Sequence, residues 1–287
     1  MRWDQEHESP DLIDRREERA GSSGGGLLYL VIRLFPWLIR SPFGWVILLG
    51  LLAYAIFQGV THRGLYSGTA EQQGGSNVTD PQAHFVAFVL DDVQSFWKQD
   101  FAARGRPPYS NAKLVLFTDA TPTACGYGQA ATGPFYCPED QRVYIDLGFY
   151  RELQQRLGAG GDFAKAYVIA HEIGHHVQDL LGTSNKRGVS AQGASGGSVR
   201  LELQADCYAG MWAHSTGQRD ILEAGDIQSA VNAAAAIGDD RLQKQETGTV
   251  SPDSFTHGTS AQRVRWFTRG YETGKLEACD TFGASQL

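Results

Sequence analysis

The chain has 287 residues, a formal net charge of −7, and 42% hydrophobic and 20% charged residues. At roughly 100–200 residues per domain, that is one ordinary domain with additions or two small domains, and the composition can fill a globular core. The acidic balance argues against a general nucleic-acid binder, which presents a basic face, and no repeat of solenoid length is visible.

Residues 1–20 are polar and highly charged, up to the run Asp14-Arg15-Arg16-Glu17-Glu18-Arg19, and a Gly/Ser linker, Gly21 to Gly26, completes the segment 1–26. A segment with so little apolar surface is expected to be disordered. Residues 27–60 are expected to associate with a membrane. Leu27 to Ile39 is apolar but interrupted by Arg33 and Pro36, whereas Phe43 to Val60 carries only Gln58 as a clearly polar residue. Spanning a bilayer takes roughly 20 apolar residues, with a lower limit near 17. A transmembrane helix is therefore expected at about 43–60, with Trp37 and Trp45 placed as interfacial aromatics. A buried core helix and a cleaved signal peptide are the competing readings. The second lacks a small-x-small cleavage site. Leu27 to Ile39 either lies on the surface or extends the anchor. Arg15, Arg16, Arg19, Arg33 and Arg40 precede the span, and only His62 and Arg63 follow it closely. The positive-inside bias then gives a single-pass membrane protein with a cytoplasmic N-terminus and an extracytoplasmic domain.

Residues 61–80 read as a Gly/Ser/Thr/Gln/Asn-rich linker, and residues 81–287 as the globular domain. Pro81 to Phe101 shows a helical apolar period. Lys113 to Phe117 and Arg142 to Ile145 read as strands. Helices are expected at Leu147–Leu157, Asp162–Leu181, Ser198–Thr216, Asp226–Gln243 and Thr259–Thr273, with Gly182 as a helix stop. The fold class is α+β and mostly helical, with a small sheet ahead of the key helix.

That helix contains His171-Glu172-Ile173-Gly174-His175, an HExxH pattern. Histidines four apart share a helix face, so both imidazoles can hold one Zn2+ ion, and Glu172 can act as general base on a zinc-bound water. The preceding run from Phe163 to Ala170 is apolar, as suits a buried active-site helix. His176 lies about 100° round the helix from His175 and reads as a packing residue. Catalytic zinc takes three protein ligands, and the candidates for the third are Glu202, Asp206, His214 and His257. Glu202 and Asp206 share a face of the next helix within an apolar run from Leu201 to Gly210. That suits Glu202 as a ligand and Asp206 as a carboxylate that orients a ligand histidine.

His171-Glu-Ile-Gly-His-His-Val-Gln178, Glu202-Leu-Gln-Ala-Asp-Cys-Tyr-Ala-Gly210 and Gly133-Pro-Phe-Tyr-Cys-Pro138 resemble the bacterial neutral zinc metallopeptidase family. The resemblance covers most of 81–287 and also the Met1-Arg2-Trp3 start. The ExxAD pattern is similar to that of membrane-associated gluzincins of the CAAX-prenyl-protease type, which implies Glu202 as third ligand and Asp206 behind it. It also implies a bacterial inner (cytoplasmic) membrane location. His257 and Arg263 are similar to a His and an Arg near the C-terminal end of those peptidases, although Gly258 stands where a proline commonly follows the His. The resemblance implies a catalytic role for His257 and a substrate-binding role for Arg263. The alternative for Arg263 is a surface charge on an amphipathic helix.

Cys125, Cys137, Cys207 and Cys279 form no CxxC motif. In an oxidising compartment a Cys125–Cys137 bridge would close a short Gly-rich loop and leave Cys207 with Cys279, but four cysteines allow three pairings. Residues 141–145 could offer a strand edge to a peptide substrate, and Gly126 to Gly133 could flank the cleft. The function expected is a membrane-anchored zinc-dependent peptidase with a peptide or protein as substrate and the lipid bilayer as partner. A catalytically silent membrane scaffold and a metal-dependent amidase acting on cell-wall peptides are the alternatives. An intact Glu172 argues against the scaffold, which needs no general base.

Overall fold

A computed structural model describes residues 1–18, 80–185, 188 and 191–287. In chain order the strands are β1 (Leu12–Asp14), β2 (Lys113–Phe117), β3 (Ala120–Thr123), β4 (Gly126–Gln129), β5 (Phe135–Cys137) and β6 (Arg142–Asp146). The helices are α1 (Pro81–Ala103), α2 (Gly148–Gln155), α3 (Asp162–Leu180), α4 (Gly197–Gln218), α5 (Asp226–Ala236), α6 (Asp239–Thr247) and α7 (Ser260–Thr273). The fold is α+β with helices dominant, as the residue patterning implies.

Local chemistry sets most of these boundaries. Asp80 caps α1 by accepting from the Gln82 N–H, and Pro81 occupies the first helical position, where its missing N–H costs nothing. Phe85, Val89, Val93, Trp97 and Phe101 then form the buried stripe of α1. Leu114 to Phe117 are all buried, as fits a parallel strand covered on both faces. The main sheet runs β1-β2-β6-β5, with β1, β2 and β6 parallel and β5 antiparallel to β6. β3 and β4 form a separate hairpin. α3 packs between α1, α4 and α5, and α4 packs against α7.

Three expectations change. Residues 1–18 are not a disordered start. Leu12–Asp14 pairs with Leu114–Leu116 as β1, the Met1 side chain is buried, and Trp3 meets Phe85 edge-on with ring centroids 5.3 Å apart. The charges that make this segment look solvated are paired within the fold. Asp11 meets Lys113 at 2.7 Å, His7 meets Asp91 at 2.9 Å, and Arg16 bridges Asp14 and Asp80. Second, the helix expected over Asp226–Gln243 is two helices. The chain turns extended at Gly238, and the Asp239 N–H is claimed by the Gly258 carbonyl. Third, the strand at 142–146 is no edge, because β2 and β5 cover it on both sides, and β5 takes the outer position. The expected membrane segment 27–60, its span at about 43–60, and the 61–80 linker up to residue 79 lie outside the described residues. Among the described residues no helix is long and apolar enough to cross a membrane.

The cysteines pair as Cys125–Cys137 and Cys207–Cys279. The first ties β5 to the turn of the β3–β4 hairpin, and the second ties α4 to the C-terminal turn.

Candidate metal centre

α3 brings His171, Glu172 and His175 to the wall of a cavity of about 480 Å³, and α4 brings Glu202 to the same wall. The two helices approach closely at Gly174 and Ala205. A Cβ on Gly174 would lie 3.1 Å from both the Ala205 Cα and its carbonyl oxygen. That close approach, one residue before His175 and three after Glu202, draws the ligand-bearing faces together.

His171 Nε2 lies 3.2 Å from Glu202 Oε2, and His175 Nε2 lies 3.4 Å from Glu202 Oε1. One donor atom from each of the three residues falls within 4.8 Å of the others. Bonds of roughly 2.0–2.1 Å to a tetrahedral zinc ion would put two donor atoms about 3.3 Å apart, so the observed spacing fits that ion. Both remaining ring nitrogens are occupied. His171 Nδ1 lies 2.8 Å from Asp206 Oδ1, and His175 Nδ1 lies 2.9 Å from Gln178 Oε1. An Nδ1–H donated to each oxygen leaves the Nε2 lone pairs directed at Glu202, the tautomer that a metal requires.

A second layer holds these partners. Arg263 donates through Nε to Asp206 Oδ2 and through Nη2 to Asp206 Oδ1, both at 2.9 Å. The Tyr167 hydroxyl donates to Asp206 Oδ1 at 2.5 Å. Gln178 Nε2 donates to the Leu201 carbonyl at 2.7 Å and to Gln204 Oε1 at 3.2 Å, which locks α3 to α4.

The electrostatics follow from this packing. Burial would lower the His171 pKa, but the charge and hydrogen bond of Asp206 outweigh it and hold the imidazole up to about 9. Burial likewise opposes charge on His175, and Glu202 overrides it, so that pKa also rises. Burial would raise Glu202 and Asp206, yet the histidines hold Glu202 well below its ordinary value, and Arg263 with His171 holds Asp206 down to about 2. Glu172 differs. Burial dominates there and pushes its carboxyl up, toward the range useful to a general base.

The remaining candidates separate cleanly. His257 is half-exposed and lines the cavity. Its Nδ1 lies 3.2 Å from Asp239 Oδ1, and Asp239 Oδ2 accepts the backbone N–H groups of Thr256, His257 and Gly258 at 2.7–2.9 Å. The hydrogen bond from Asp239 raises the His257 pKa. Arg263 reaches the cavity wall and is not a surface charge. It is buried, with its guanidinium committed to Asp206, Tyr167 and the Ile237 carbonyl. His214 is spent on the Tyr271 carbonyl at 2.7 Å. His176 packs as expected, buried between the Tyr136 hydroxyl and the Ser110 carbonyl. Thr132, Gly133 and the β5 residues Phe135 and Tyr136 line the cavity, so the flank expected at 126–133 contributes its C-terminal end. Sequence reasoning did not find Gln178, Tyr167 or Asp239. Gln178 is one helical turn after His175, and that spacing was the available signal.

Residues 1–282 match the family described as "Putative neutral zinc metallopeptidase". The chain belongs to this family. It is 46% identical over 295 aligned positions to the uncharacterized protein YpfJ of Escherichia coli (strain K12), covering 99% of this chain and 100% of that protein. It is 49% identical over 213 positions to the uncharacterized protein Rv2575 of Mycobacterium tuberculosis (strain H37Rv), covering 70% of this chain and 71% of that one. No solved structure matches the chain.

Proposed function

We propose that the chain is a zinc-dependent peptidase that hydrolyses peptide bonds in the cavity beneath α3 and α4. The observation that carries this reading is the convergence of His171, His175 and Glu202, with Glu172 buried beside them on the same wall. His171, His175 and Glu202 would hold the ion. A bound zinc ion would supply Lewis acidity there, polarising a carbonyl and lowering the pKa of water from 15.7 to about 7. Glu172 takes the proton of the attacking water and returns it to the leaving amine, work suited to a carboxyl whose pKa burial raises. His257, held by Asp239 and facing the cavity, donates to the oxygen on which negative charge develops. β5 is the outer strand of its sheet beside the cavity, and a substrate backbone can pair along it.

The test uses the full chain loaded with zinc and a peptide library, with Glu172→Gln as the comparison. The expected result is cleavage by the wild type and a loss of about 10²–10⁴-fold in the variant, with equal bound zinc in both. Equal cleavage, or no zinc retained by the wild type, rejects the reading. Two disulfides fit an oxidising compartment, and we place the domain there.

A further inference from the structure

Met1–Glu17 and the described residues from Asp80 to Leu287 are parts of one folded body. β1 is hydrogen-bonded to β2 in parallel over Leu12–Asp14, and the Arg15 N–H donates to the Leu116 carbonyl at 2.8 Å. Further toward the N-terminus, the Arg2 N–H donates to the Ile221 carbonyl at 2.8 Å, and Ser9 and His7 both bond Asp91 of α1. His84 Nδ1 meets the His7 carbonyl at 2.9 Å. Where the chain leaves this body and where it returns, one ion pair closes the gap: Arg16 with Asp80, 64 positions apart in sequence. The two ends of the intervening segment therefore emerge side by side.

That segment carries the apolar stretches Leu27–Ile39 and Phe43–Val60, separated by Arg40-Ser41-Pro42. A chain that crosses a bilayer an odd number of times leaves its flanks in different compartments. Here the flanks share one sheet and one core, so a single crossing would require β1 and β2 to pair through the membrane. Backbone groups in hydrocarbon must be satisfied within a helix or a closed barrel, and a mixed sheet cannot assemble across it.

We propose that Met1–Glu17 and the globular domain share one compartment, on the same face of any bilayer that the sequence between them enters. This replaces the single-pass topology expected from the sequence. The inference rests on strand pairing and ion pairs and holds whether or not the site is a peptidase.

The experiment keeps the full chain in bacterial membranes. None of the four native cysteines is free, so an introduced thiol is the reactive one. Glu8→Cys and Glu246→Cys both place it at exposed positions, one on each side of the insert. Spheroplasts are treated with a membrane-impermeant maleimide before and after lysis. The expected result is that both positions label in intact spheroplasts. Both labelling only after lysis also supports the shared face and moves it to the cytoplasm. Labelling of one position before lysis and the other only after overturns the proposal.

Discussion

Asp206 serves three partners at once: the His171 imidazole, the Arg263 guanidinium and the Tyr167 hydroxyl, all buried. Removing it leaves Arg263 charged and unpaired in the interior. Breaking such a pair from one side costs about 3–5 kcal/mol, so Asp206→Ala is expected to lower the urea midpoint strongly. A midpoint equal to wild type would show that Arg263 finds other compensation. Gln178 is the counterpart on the other ligand, and it acts through His175 rather than on substrate. Gln178→Leu is expected to keep the fold and weaken zinc binding about 10–100-fold, as lost outer partners of a ligand histidine do. Competition with a chelator measures it, and unchanged affinity removes Gln178 from this positioning role. At this scale much was legible. Four-residue spacing put His171 with His175 and Glu202 with Asp206, because helix geometry makes it so. Arg263 was not, since nothing in its own neighbourhood, Gln262-Arg263-Val264-Arg265, distinguishes a guanidinium aimed inward at Asp206 from one in solvent.

Helix α4 carries Glu202 and Asp206 on one face and meets α7 on another. The second contact is backbone on backbone. A Cβ on Gly210 would lie 2.1 Å from the Phe267 carbonyl oxygen and 2.8 Å from the Tyr271 nitrogen. No rotamer relieves that overlap, so Gly210→Ala must push the helices apart. The expected loss is about 1–3 kcal/mol or more, the usual cost of overpacking, read from chemical denaturation. Zinc affinity should fall with it, because α7 also holds Arg263 against Asp206. An unshifted midpoint would contradict the close crossing. Long amphipathic helices such as α1 and α3 were readable from their periodicity within a residue or two of their ends. The short strands were not. β1 spans three residues beside a charged run, and β3 and β4 lie in Gly- and Thr-rich sequence that scans as loop.

Over the whole molecule, the N-terminal segment is held by acidic groups that stay ionised. Burial would raise Asp11, but hydrogen bonds from Lys113 and Asn111 outweigh it, and Arg16 does the same for Asp14 and Asp80. All three are held below the ordinary carboxylate value of about 3.9. A carboxylate lowered by folding adds stability above its unfolded pKa, and that share is lost as pH falls through the folded value. The urea midpoint of wild type should therefore exceed that of Asp11→Asn most clearly near neutral pH, and the gap should close as pH falls below the ordinary carboxylate range. A gap that does not change with pH would assign Asp11 a packing role only. The sequence reading separated this segment from the domain because its charges looked solvated. Their partners, Lys113, Asp91 and Asp80, stand far along the chain, where no local window shows them.

The pairing of β1 with β2 also constrains the order in which the protein can be made. Asp11 and Lys113 are 102 positions apart. The ribosome therefore delivers the first strand long before its partner exists, and the apolar insert leaves the ribosome in between. Parallel pairing at that separation closes a long loop and is intrinsically slow. Until β2 arrives, β1 is an unpaired edge that could seek another chain. Its three-residue length and its charged flanks limit that hazard during synthesis. A strand translated well ahead of its partner is then among the last elements to find its place.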